Sequence, residues 1–316
     1  MSNDPSIDGV LVTWGERLFY PRNRIVKGDA PPRLRAIAIR RRIEATVLRR
    51  VPQVMVKVTG GGRGMRAIAA HFKYISKNGR LEMEDQRGET MRGKDVLRDL
   101  ADEWRLGGSL IPEDADLANR REAFNIMLSM PRGTDPLGVQ RAAREFARAE
   151  LRDHKYVMVL HDHQANPHVH ISVRAESTLG KRLNPRKADL HRWRETFAEK
   201  LRGHGIDAEA TRQATRGKSK NYEPLRRLKA REEGRLRTGD RSENTSAAGK
   251  ATRAEAIDAW KQIGQVLARS GDAMDRQLAA SISRFVAEMP ASQAGRLPTV
   301  ERQDQPSKDV GRGRDG

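Results

Sequence analysis

The sequence predicts an α+β fold: an antiparallel sheet with helices packed on one face and a polar site on the other. Three observations predict it. Val157, Val159 and His161 alternate along one run and His168, His170 and Ser172 along the next, so the segment reads as a hairpin turning at Gln164-Ala165-Asn166-Pro167. Phe124, Ile126, Leu128 and Met130 recur at every second position, the mark of a half-buried strand. Residues 65–77, 136–151 and 187–203 instead repeat their apolar side chains at helical spacing.

In chain order, residues 1–50 form a basic N-terminal extension. A mixed segment with Trp14, Phe19 and Tyr20 leads to the breaker Pro31-Pro32 and a basic helix over 34–50. A strand over 54–58 runs into Gly60-Gly61-Gly62-Arg63-Gly64, a turn that lacks the Lys-Ser or Lys-Thr of a nucleotide-binding loop. In the helix over 65–77, Met65, Ile68, Ala69, Phe72 and Ile75 share one face, with Gly79 as the expected cap. Tyr74 falls about 160° from the centre of that face by helical geometry, among His71, Lys73 and Lys77. A tyrosine displayed among cations is a candidate nucleophile, because positive charge favours phenolate and attracts a phosphodiester.

Residues 82–116 are acidic and helical around 93–104, and the strand over 124–130 follows. A helix over 136–151 then carries Val139, Ala142, Ala143 and Phe146 as its stripe. After the histidine hairpin comes a helix over 187–203 with Leu190, Trp193, Phe197 and Leu201, ending at Gly203 or Gly205. The nuclease-type core so delimited is 51–217. Residues 218–250 read as a basic linker and 251–289 as a helical tail segment carrying Trp260 and Phe285. Residues 290–316 are polar and expected to be disordered.

The hairpin carries the chemistry. With the turn as drawn, His161 lies opposite His168, and His161, His168 and His170 converge on one face while Val169, Ile171 and Val173 serve the core. Three imidazoles holding a divalent cation leave open positions, the arrangement of a catalytic site. Ligand chemistry alone suits zinc, manganese, nickel or copper better than magnesium. His163 points to the same face.

The net charge of +19 argues for a polyanionic partner. It is concentrated in 31–50, 181–202 and 211–240, which together hold 17 of the 19 net charges and make nucleic acid the expected partner. Cysteine is absent, so disulfide frameworks, zinc ribbons and cysteine nucleophiles are excluded. No apolar run approaches a membrane span and no signal-peptide core opens the chain, so a cytoplasmic protein is expected.

Three passages together resemble the relaxases of conjugative and mobilisable elements, the histidine-hydrophobe-histidine endonucleases, most closely the branch that includes the T-DNA border endonucleases. Tyr74-Ile75-Ser76-Lys77-Asn78-Gly79-Arg80-Leu81-Glu82 resembles that branch's first motif, which opens on the nucleophilic tyrosine. Residues 124–134, with Ser129-Met130-Pro131-Arg132-Gly133-Thr134, resemble the second, and residues 161–170 the third. The likeness spans roughly 52–224. One departure stands out: the motif's acidic residue falls at His163 here, with Asp162 one place earlier.

The resemblance implies a relaxase-type palm in which Tyr74 attacks a scissile phosphate held through magnesium or manganese on His161, His168 and His170. His163, Asp162, Glu82 and Glu84 are candidates for orienting a ligand histidine. Lys73, Lys77, Arg80, Lys181, Arg182, Arg186, Lys187, Arg212, Arg216, Lys218 and Lys220 are candidate contacts to DNA. The implied partners are single-stranded DNA from an origin of transfer, including a hairpin, accessory origin-binding proteins, a coupling protein and type IV secretion machinery. Two rival readings are a replication initiator or transposase of the same chemistry, and a non-catalytic nucleic-acid module with a structural metal. Lack of a helicase nucleotide loop argues against a fused initiator.

Overall fold

Alternation of side chains sets the architecture: a computed structural model, which describes residues 6–20, 31–117, 120–163, 166–217, 234–235 and 246–290, builds one six-stranded antiparallel sheet. Its strands are β1 (Met55–Gly60), β2 (Met83–Asp85), β3 (Thr90–Met91), β4 (Ala123–Ser129), β5 (His154–His161) and β6 (His168–Ser177), in spatial order β1-β4-β6-β5-β2-β3. The predicted hairpin forms in the predicted register, with His161 opposite His168. Its turn residues Gln164 and Ala165 lie outside the described residues, as do Lys218, Lys220, most of the 218–250 linker and the 291–316 tail.

One face of the sheet is covered by α5 (Pro136–Glu150) and α6 (Lys187–Gly203). Val56, Phe124, Ile126, Leu128, Met158, Val169, Ile171 and Val173 pack there against Val139, Phe146, Trp193, Phe197 and Leu201. Asp135 caps α5 by accepting from the backbone N–H groups of Leu137 and Gly138. Gly205, at φ 74°, turns the chain after α6.

The site face also bears helices, over part of its width. There α3 (Met65–Ile75) and α4 (Lys94–Leu106) pack Met65, Ile68, Phe72, Ile75, Leu97, Leu100 and Trp104 onto Val157 and Val159. Both strand residues face the histidine side, so the β5 half of that face has an apolar floor to cover, and the histidine end stays polar.

Three elements were not foreseen. β2 and β3, of three and two residues, are too short to read as strands; Asp85 ends β2 by accepting from the backbone N–H groups of Arg87 and Glu89. α1 (Ile7–Phe19) begins at Ser6, whose side chain accepts from Gly9 N, and buries Val10, Leu11, Leu18 and Phe19.

The N-terminal extension and the helical tail share a core. α1 and α2 (Pro32–Val47) pack with α7 (Ala247–Ala268) and α8 (Ala273–Ala287) around Leu11, Phe19, Ile43, Trp260, Ile263, Ile282 and Phe285. Trp260 meets Phe19 and Phe285 edge-on, at ring-centroid distances of 6.1 and 5.4 Å. Five of the seven arginines in the 31–50 basic run form ion pairs within the molecule. Arg35 pairs with Glu16, Arg40 with Asp275, Arg42 with Glu195, Arg49 with Asp207 and Arg50 with Glu288. The pairs of Arg35, Arg40 and Arg42 therefore tie this helical bundle to itself and to α6, while Arg33, Arg41, Arg49 and Arg50 stay exposed.

Candidate active site

Register carries the site. Across the sheet one row reads Met55, Ser129, His168, His161, and the next reads Lys57, Met127, His170, Val159. The structure thus brings His161, His168 and His170 together: one ring nitrogen of each lies within 4.8 Å of the others, and all three side chains are buried.

Hydrogen bonds fix which nitrogen His161 and His168 offer. His161 Nε2 lies 2.7 Å from the Ile75 carbonyl, which can only accept, so the proton sits on Nε2 and the lone pair on Nδ1. His168 Nδ1 donates at 2.9 Å to the Asn166 carbonyl, leaving Nε2 as its acceptor. The Nδ1 atoms of His161 and His170 are buried without a partner. Orphaned buried acceptors are costly unless something electropositive meets them. Burial lowers the pKa of all three imidazoles, with the neighbouring histidines adding to it, and His170 is brought down to about 3. Three neutral rings with converging lone pairs are a donor set that fits a divalent cation.

Tyr74 stands beside them. It is 63% exposed on the last turn of α3, and its ring centroid lies 6.0 Å from that of His170. Helix α3 ends sooner than the sequence suggests. Ser76 caps it by donating from Oγ to the Phe72 carbonyl, and Lys77, Asn78 and Gly79 all take positive φ. That early end frees the Ile75 carbonyl to hold His161. His71, one turn before Tyr74, packs its ring 6.1 Å from Tyr74 and 6.4 Å from His170, and its Nδ1 lies 2.6 Å from Ser172 Oγ. Burial lowers His71 to about 4. Neither His71 nor Ser172 stood out as a site residue in the sequence, although the i, i+3 spacing of His71 and Tyr74 on one helix was a usable signal.

The remaining candidates divide. His163 is exposed with its ring centroid 5.1 Å from that of His161, and Asp162 beside it is exposed. Glu84 lies elsewhere: its β2 position faces α5, where it pairs with Arg144, the Nη2 to Oε2 contact measuring 2.7 Å. Period-two alternation puts it on the face away from the histidines. Glu82 is exposed just before β2.

Lys73, Lys77 and Arg80 are exposed around the end of α3, and the Lys77 charge is felt by His161. Lys73 and Arg80 line a cleft with Lys94 and Arg98. Lys181, Arg186 and Lys187 are exposed. Three predicted DNA contacts are occupied within the fold. Arg182 is shared by Glu122 and Glu176. Arg212 donates to the carbonyls of Arg17 and Leu18, and Arg216 donates to Val51 O and Thr211 Oγ1, its pKa lowered by burial to about 10. Sequence alone does not separate such staples from solvent-facing cations in the same charge run.

A family profile described as "Relaxase: MobA/VirD2-like, nuclease domain" matches residues 74–206, a span that includes Tyr74 and all three histidines. The chain is 26% identical over 186 residues to the T-DNA border endonuclease VirD2 of Rhizobium radiobacter, covering 52% of this chain and 43% of that protein. It is 26% identical over 208 residues to the protein of the same name from Agrobacterium fabrum, covering 60% and 46% respectively. The matched region spans less than half the length of each relative. Motif order, converging histidines and profile agree: residues 74–206 match the nuclease domain of the MobA/VirD2-like relaxases.

Proposed function

We propose that this protein is a metal-dependent DNA strand transferase that nicks one strand at an origin of transfer, keeps the 5′-phosphate on Tyr74, and later rejoins the strand. The observation that carries the reading is the exposed Tyr74 ring 6.0 Å from His170, at the mouth of three converging imidazoles. His161, His168 and His170 would hold the cation. Magnesium or manganese is what the family relation implies, and the all-nitrogen donor set favours manganese of the two. Such a cation, when bound, neutralises and polarises the scissile phosphate.

The chain's own groups do the rest. Lys73 and Lys77 flank Tyr74 and draw the phosphodiester toward it. The Tyr74 oxygen attacks phosphorus, giving up its proton to solvent; the bond to the 3′-oxygen breaks, and that oxygen leaves and takes up a proton. One phosphodiester is exchanged for another, so the bond energy is kept and a returning 3′-hydroxyl can reverse the step. The proposed setting is the bacterial cytoplasm, with origin-binding accessory proteins, a coupling protein and secretion machinery as partners. The family relation supports these partners. Among the described residues no helix is long and apolar enough to cross a membrane.

The test is incubation with pooled single-stranded origin fragments and Mn²⁺, followed by mass mapping of any tyrosyl adduct. Wild type forms an adduct at Tyr74, and Tyr74→Phe cuts nothing. An adduct persisting in Tyr74→Phe, or one mapped to Tyr20, Tyr156 or Tyr222, sinks the assignment. Cleavage without an adduct points to a metal-only hydrolase, and no cleavage by either protein to a binding module.

A further inference from the structure

Beside the histidine row the sheet continues for two more strands toward its β1 edge. Met55 and Met127 are half buried there, on the same face as His168 and His170, and belong to none of the apolar cores. Lys57 follows in the His170 row, two strands away, hence about 10 Å from that histidine's backbone. The strip opens into a cleft of about 480 Å³ that Met55, Lys57, Ser129, Asn166 and Arg194 help to line. Ser129 and Asn166 are the immediate neighbours of His168, one across the sheet and one through its hydrogen bond. The cleft therefore begins beside His168 and reaches Lys57. Among the described residues neither Lys57 nor Arg194 forms an ion pair, whereas most arginines of the basic runs do.

From this we infer that the strip is a nucleotide subsite. Met55 and Met127 carry the base of the nucleotide next to the scissile phosphate, on the side away from Tyr74, and Lys57 holds its neighbouring phosphate. The inference rests on the strand-transferase reading and gives its site a second contact with the DNA. Thioether side chains are flexible and polarizable, and they pack on aromatic rings. They serve here where the face has no aromatic platform of the kind single-strand binders use. A cation two strands from the triad lies within reach of the next phosphate of the same strand. Because Tyr74 approaches from the α3 side, a strand continuing across the sheet away from it meets Met127 and then Lys57.

The test is fluorescence anisotropy of a fluorescein-labelled twelve-residue oligodeoxythymidylate with the full chain carrying Tyr74→Phe, so that no covalent adduct contributes. Adding Lys57→Ala weakens binding about five- to tenfold and makes the dependence of log affinity on log salt shallower by about 0.7, the value of one phosphate contact to a single strand. Adding Met127→Ser weakens binding about fivefold or more through lost stacking, with the salt slope unchanged. Lys261→Ala, on the exposed face of α7, binds as the parent does. Both positions are at least partly open to solvent, and an unchanged thermal melt shows that the variants fold. If Lys57→Ala and Met127→Ser bind within twofold of the parent with the same slope, the subsite is overturned and the strand-transferase reading stands. If the parent itself fails to bind the oligonucleotide, that reading falls and the subsite with it.

Discussion

At the scale of single residues, the site is a set of protons placed by carbonyls. The Ile75 carbonyl holds the proton of His161 on Nε2 and the Asn166 carbonyl that of His168 on Nδ1, so the free lone pairs turn inward. His170→Ala removes one of three donors. It is expected to weaken Mn²⁺ binding, measured by calorimetry, by more than the roughly 10- to 100-fold that loss of an outer hydrogen-bond partner costs. An unchanged affinity would mean that the cation sits elsewhere.

Acid should act on the metal-free protein through the same burial. His71 is held at about 4 by burial against an ordinary value of 6.5, so it stays neutral in the fold while the unfolded chain takes up a proton below pH 6.5. The unfolded state then binds more protons, and stability falls as pH drops from about 6.5 toward 4. For His71 alone the loss reaches up to about 2 kcal/mol by pH 5. Urea midpoints in EDTA at pH 7 and pH 5 measure it, and His71→Gln, which titrates nothing, should flatten the decline. A variant that loses as much between the two pH values as wild type contradicts this account.

At the scale of elements, the end of α3 decides where Tyr74 stands. Gly79 sits at φ 78°, and a Cβ there would lie 2.5 Å from the Gly93 carbonyl carbon and oxygen, while Gly79 N–H donates to Ser76 Oγ. Gly79→Ala meets both a left-handed backbone and a collision with the start of α4. The expected cost is about 1–3 kcal/mol, seen as a lower urea midpoint. Adduct formation should slow as well, because the turn that bends after Tyr74 must shift; a variant as stable and as fast as wild type would show the turn to be slack.

The elements also show what was legible in advance. Hairpin, register and histidine face followed from alternation, and the polar placement of Tyr74 from helical angle. The strand β2 did not: three residues carry too little pattern, so Glu84 had no readable face and was placed beside the metal when it in fact pairs with Arg144 on α5. The end of α3 was also hidden, since Gly79 signals a cap while Ser76, Lys77 and Asn78 had already turned the chain.

At the scale of the whole molecule, sequence distance concealed a core. Helices α1 and α2 precede the nuclease domain and α7 and α8 follow it, and each pair read alone looks like an appendage. Only folding shows that the apolar stripe of one pair is the partner of the other. The bundle is sewn to the nuclease domain through Thr215, near that domain's C-terminal end. Trp260 Nε1 donates to the Thr215 carbonyl at 2.8 Å, and Thr215 Oγ1 donates to the Leu18 carbonyl at 2.6 Å. Arg42 adds a second tie, reaching Glu195 on α6 while its guanidinium lies 4.8 Å over the Phe19 ring. With both ties in place, bundle and nuclease domain should unfold together.

Trp260→Ala tests this. It empties a fully buried site and removes the Thr215 bond, so a loss of about 3–5 kcal/mol is expected. In urea, fluorescence of the buried Trp104 and Trp193, both in the nuclease domain, should shift to a lower midpoint together with far-UV circular dichroism. Two separate transitions, with the nuclease tryptophans unmoved, would show instead that the bundle is an independent unit and that the charge on α2 does no work for the catalytic domain.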